Sequence, residues 1–167
     1  MSERANIDLM IYLMFEAFDA PGNHPLLSNI GSLQDDDWLW TPPGGKRTIF
    51  EIVQHIGECK YVYENHAFGD GSMSWISTGA VPSVDRDTPH EQVVEWLREG
   101  HRRLVQSVAA LADDGELLRP RRANWGTEYE TRWLINAMIQ HDLYHAGEIN
   151  HIRALRHEND RWAYDET

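Results

Sequence analysis

Two histidines, His141 and His145, stand four residues apart in the run MIQHDLYHAGEINHIRAL, residues 138 to 155. At ~100° per residue they lie about 40° apart on a helix surface, and Glu148 falls within about 20° of His141. One face thus presents two nitrogens and a carboxylate in a row. Residues one turn apart can each bring an imidazole nitrogen to ~2.1 Å from a single ion, so H-x-x-x-H is the spacing a metal asks of a helix. Two donors do not close a site, and the pair on its own equally fits satisfied or solvent-facing histidines. The same face carries Leu134, Ala137, Met138, Ile152 and Leu155. The donors therefore point toward a core, where buried polar groups need a partner. A third donor is available elsewhere: His55 lies on a helical face with Ile52, Cys59 and Val62.

These donors must be positioned by helices, and the periodicity supplies four. The first spans 3 to 19 and ends at Pro21-Gly22; its centre, Leu9 to Phe15, is apolar all round, more than one buried stripe requires. The second, 48 to 66, opens on the capping box Thr48-Ile-Phe-Glu51. The third, 88 to 112, opens on Thr88-Pro89-His90-Glu91, a second box with proline at the first helical position. Its buried stripe is Val93, Leu97, Gly100, Leu104, Val108 and Leu111, with Gly100 allowing a close helix approach and His101 at the boundary. A third box, Thr127-Glu-Tyr-Glu130, opens the last helix, 127 to 157. The connection 20 to 47 contains a short helical turn at Leu26, Leu27, Ile30 and Leu33. Trp38 and Trp40 there either cap the bundle end or wall a pocket. The loop 67 to 87 is anchored by Trp75 and Ile76, and Arg119, Arg121 and Arg122 read as a solvated turn or an anion contact. No strand pattern is convincing. An all-α four-helix bundle occupying 1 to 167 as one domain follows, with the two long connections 20 to 47 and 67 to 87 leaving room for crossovers.

Composition narrows the function classes. The formal charge of -12, from 27 acidic residues against 15 Lys and Arg, argues against nucleic acid and against an anionic membrane surface. No run approaches the ~18 apolar residues of a membrane span, and the N-terminus has no signal-peptide pattern, so a soluble cytoplasmic protein is expected. A single cysteine excludes an intramolecular disulfide and a cysteine-based zinc cluster. A di-iron carboxylate site needs two Glu-x-x-His motifs, and Glu148-Ile-Asn-His151 is the one present. The over-wide apolar surface around Leu9, Ile11, Leu13 and Phe15 predicts a homodimer.

FEIVQHIGE in the second helix, together with HDLYHAGEINHIRAL in the last, resembles the DinB-like family of metal-binding four-helix bundles over nearly the whole chain. The resemblance implies one divalent ion on His55, His141 and His145 with coordination positions left open. Zinc or nickel is favoured and iron is a further candidate, since histidine donors do not by themselves select among them. It also implies a small-molecule substrate and, by analogy with several relatives, a low-molecular-weight thiol used in a transferase-type reaction; many relatives have no known activity. Relatives often carry glutamine where Glu148 stands. Glu148 can orient a ligand histidine, act as a general base, or simply pair with an arginine. Cys59, one turn after His55, is either a fourth ligand or a small core residue. The rival to an enzyme is a metal-binding or interaction protein of the same fold.

Overall fold

The computed structural model describes residues 3–22, 24–75 and 84–159. Helices α1 (Ala5–Phe18), α3 (Ile49–Phe68), α4 (His90–Ala109) and α5 (Thr131–Arg156) form the bundle, and the short α2 (Leu26–Gly31) packs on α5. Each long helix starts within four residues of its expected position. Of the three capping boxes, one forms as read: the Thr48 hydroxyl accepts from Glu51 N–H at 3.2 Å while the Glu51 carboxylate accepts from Thr48 N–H at 2.9 Å. At Thr88 the hydroxyl is taken by a turn with Asp85, 2.9 Å away, so α4 starts after Pro89 without a side-chain cap. The third box is overturned. Glu128–Glu130 (β2) is held extended by antiparallel pairing with Pro120–Arg122 (β1), Arg121 opposite Tyr129, and α5 begins only at Thr131.

Helix α1, which has no cap of its own, receives one from outside. The Asp114 carboxylate accepts from Asn6 N–H and Ile7 N–H, each at 3.0 Å, satisfying amides that a helix start leaves open. The basic turn is likewise not solvated throughout. Arg121 donates to Thr131 Oγ1 at 2.9 Å, to the Ala67 carbonyl at 3.2 Å and to Glu116 at 3.0 Å, tying the ribbon to α3 and α5. Trp38 is buried in the core and Trp40 packs against it, which agrees with a capping role at the bundle end. Trp75 is exposed, and Ile76 lies outside the described residues.

Around the bundle α1 contacts α4 and α5, and α3 contacts the same two; α1 and α3 face each other across a diagonal, as do α4 and α5. The connection from α1 to α3 therefore crosses the bundle, using the room that its length leaves. The connection after α3 does not: it joins neighbours, and the second crossing is made by the segment between α4 and α5 that carries the ribbon. The α3–α4 pair packs closely because glycines permit it. A Cβ on Gly57 would lie 2.1 Å from the Trp96 ring, and one on Gly100 would lie 2.9 Å from Tyr61.

The apolar interior divides in two. One cluster joins Ile52, Val53 and Ile56 of α3 to Val93 and Leu97 of α4 and Ile149 and Ile152 of α5. The other joins Ile7 and Met14 of α1 to Leu104 and Val108 of α4 and Ile135 and Met138 of α5. Between them in sequence on α4 and α5 sit the buried polar residues His101 and Asp142, and buried Lys60 of α3 reaches both. His101, expected at the boundary, is 9% exposed and stacks on Phe18 at 3.7 Å between ring centres. Leu155, expected on the buried face, is 49% exposed, because it lies beyond the level at which α3 begins to cover α5.

Burial, with the Lys60 ammonium beside it, holds His101 neutral down to about 2. The unfolded chain takes up a proton at this residue below its ordinary value of ~6.5 while the folded chain does not, so the group's contribution is complete above that pH and lost as pH falls. The slope is at most ~1.4 kcal/mol per pH unit. Urea unfolding at pH 7.0 and 5.5 is expected to show a smaller pH-dependent loss for His101→Phe than for the parent chain; equal losses would reject a neutral buried His101.

Candidate metal centre

Helices α3 and α5 run antiparallel, with Arg47, just before α3, reaching Glu148 of α5 at 3.4 Å. This brings His55, two turns into α3, level with His141 and His145 in mid α5. Their Nε2 atoms converge: His141 Nε2 lies 3.2 Å from His55 Nε2 and 3.2 Å from His145 Nε2. One ligand atom from each of the three lies within 4.8 Å of the others. His145 is buried, and the other two are half-buried. All three residues expected from the sequence to be ligands are thus brought together.

The donor set fits a cation better than it fits itself. His145 Nδ1–H donates to Glu148 Oε2 at 2.7 Å, so its Nε2 offers a lone pair toward His141. His141 Nε2, with a single proton or a single lone pair, cannot make a hydrogen bond to both neighbours at once, and its Nδ1 is buried with no hydrogen-bond partner. An ion ~2.1 Å from each nitrogen would separate them by about 3.0 Å at right angles and about 3.4 Å in a tetrahedron. The observed 3.2 Å lies between. Burial, reinforced by His145, lowers His55 below the ordinary histidine value, and burial with the two neighbouring imidazoles lowers His141 to about 3. Both are therefore neutral at pH 7, the form a metal requires.

Around this trio the remaining residues take distinct places. Glu148 touches both a ligand histidine and Arg47, so its orienting and ion-pair readings hold together. Cys59 Sγ is 3.7 Å from the Nε2 atoms of His55 and His141, and burial pushes its thiol up to about 12. It also lies 3.8 Å from His55 Nδ1, so it sits beside that ring and lines the wall of the site. Trp75 stacks over His55 at 6.2 Å, and Tyr144 meets His145 edge-on at 5.0 Å.

Three residues at or behind the centre escaped the sequence reading, Arg47, Lys60 and Asp142, and Trp75, read as a loop anchor, was not placed at the site. Arg47 and Trp75 sit in connections, where no periodicity reports their direction. Asp142 and Lys60 are neighbours in sequence of His141 and Cys59, but a charge pair between separate helices has no spacing signature. The visible signal was a lysine and an aspartate flanked by apolar residues within helical runs, which asks for a buried partner without naming it.

No curated protein shows significant similarity to the chain. Among described residues, no helix is long and apolar enough to cross a membrane. The sequence profile of the DinB superfamily matches residues 22–149, a span that contains His55, His141 and His145 and most of the bundle. On this match and on its helical fold, the chain belongs to the DinB superfamily.

Proposed function

We propose that this protein is a divalent-metal-dependent enzyme that transfers a small thiol to a small electrophile at an ion held by His55, His141 and His145. The observation that carries the metal half is the convergence of three imidazole nitrogens from two helices. A divalent ion with three protein donors and open positions supplies Lewis acidity and lowers the pKa of a thiol or water that reaches it. Zinc or nickel is the expected ion and iron a further candidate, the three histidines themselves accepting any of them. The thiol half rests on the family and not on a contact in the chain.

The protein's own residues then have definable duties. Glu148 holds His145 in the tautomer that presents Nε2, and such outer contacts contribute roughly 10- to 100-fold to metal affinity or activity. Its second duty in this reading is as general base, taking the proton from the incoming thiol as sulfur bonds to the electrophilic carbon. The leaving group, chloride in the case of an aryl chloride, departs with the electron pair of the broken bond. Trp75 and Tyr144 shield the histidine rings from solvent. A second reading, an ion that only stabilises the bundle, is favoured by Cys59, whose sulfur stands close enough to two ligand atoms to close the site.

The uncovered side of α1 supports self-association. Leu9, Tyr12, Leu13 and Phe15 are 50, 55, 37 and 47% exposed, an apolar strip that a second copy would cover. Light scattering at micromolar concentration is expected to give twice the chain mass, and Leu13→Asp the monomer mass; a monomeric parent chain rejects the dimer.

Elemental analysis of gently purified protein should return about one divalent ion per chain, and His145→Ala should lose it with little change in helical circular dichroism. A triple alanine variant at 55, 141 and 145 that keeps full metal would refute the site. With free cysteine as thiol and an activated aryl chloride as electrophile, Glu148→Gln is expected to lower turnover at least tenfold at full metal content. Equal turnover at full metal content removes Glu148 as base, and an intact ion inert across thiols and electrophiles favours the non-enzymatic reading.

A further inference from the structure

At the middle of the bundle Lys60 of α3 donates to both carboxylate oxygens of Asp142 of α5, each at 2.7 Å, with the two side chains 1% and 3% exposed. The ammonium also donates to His101 Nδ1 of α4 at 3.3 Å and lies 4.8 Å from the centre of the Phe18 ring of α1. Every long helix thus contributes one residue to a single dry cluster. A buried ion pair of this kind is a poor source of stability, since an apolar pair of equal volume often serves as well or better. Its geometry, however, is demanding. Sliding α3 along α5 by one residue would move the charges apart by about 1.5 Å and leave both buried and unpaired.

The position of the pair is what matters. Asp142 follows His141 directly, and Lys60 lies five residues after His55 and next to Cys59, on the wall of the site. The two helices that the pair locks are the two that carry the three histidines. We propose that Lys60 and Asp142 are positioning residues for the metal centre: their ion pair fixes the register of α3 against α5 at the value that makes the three Nε2 atoms converge. The apolar faces on either side would tolerate a small slip, because hydrophobic contact is not directional; a two-point charged contact does not. His101 holds the ammonium from the third side.

This inference rests on the metal reading above, and Co(II) titration tests both separately. Absorbance of bound Co(II) reports affinity and coordination geometry without any assay of activity. The double variant Lys60→Met/Asp142→Leu is expected to keep its helical signal and a metal-free melting temperature at or above the parent value. Its Co(II) affinity should fall at least tenfold, with a changed visible band. The single variant Lys60→Met, which strands a buried carboxylate, should instead melt lower. Parent affinity and an unchanged band in the stable double variant would overturn the register role while leaving the metal site standing. A parent chain that binds no Co(II) would overturn both. Should the Met/Leu pair not fold, Lys60→Gln/Asp142→Asn, which sheds both charges and keeps a hydrogen bond, carries the same test with the same outcomes.

Discussion

The Lys60–Asp142 contact is the constraint on which the rest of this bundle turns. Two opposite charges taken out of water must meet, because either one left alone in the interior costs several kcal/mol by general estimates. Meeting requires α3 and α5 to be adjacent and in one register, with α4 near enough to bring His101 to the ammonium and α1 near enough to lay Phe18 over it. Along α4 and α5 this junction separates the two apolar clusters, one shared mainly with α1 and the other with α3. The polar junction thus marks where two cores of non-specific apolar contact are keyed to each other.

The histidine trio depends on the same arrangement. Burial drives His55 and His141 to the neutral form before any ligand arrives, so the protein presents lone pairs instead of cations that would repel a metal. That has a cost, visible in the His141 Nδ1 with no partner and in the two close nitrogen contacts that one His141 Nε2 cannot satisfy. Three imidazole nitrogens crowded together with no full set of hydrogen bonds among them form an arrangement that belongs to a site rather than to a scaffold. Glu148 then settles one tautomer, and Arg47 holds Glu148 from the loop before α3.

Much of the local structure is repaired from a distance. α1 borrows its cap from Asp114, the ribbon is strapped to α3 and α5 by Arg121, and the turn at Asp35–Asp37 is tied to the end of α5 through Arg156 and His157, which meet Asp37 at 3.0 and 2.9 Å. These ties let the crossing connections lie flat on the bundle. They leave the outer side of α1 uncovered, a surface whose apolar character its own core packing does not need.

The sequence by itself determined the helices and the donors. Period-3.6 apolar patterning and the Thr48 box placed four helices to within a few residues, because these signals act within one or two turns of chain. The four-residue spacing put His141 and His145 on one face for the same reason, and His55 stood out as a histidine among apolar neighbours. Only the tertiary structure decided that His55 meets the other two, since that depends on the register of two helices over 80 residues apart in sequence. It alone decided that Glu128–Glu130 pairs as a strand, because the competing partner, Pro120–Arg122, offers backbone bonds that the capping pattern cannot reveal. It decided, too, that the second crossing lies between α4 and α5, that His101 is buried, and that Lys60 finds Asp142. Each of these is a long-range pairing, and a pairing between segments has no period along the chain from which it could be read.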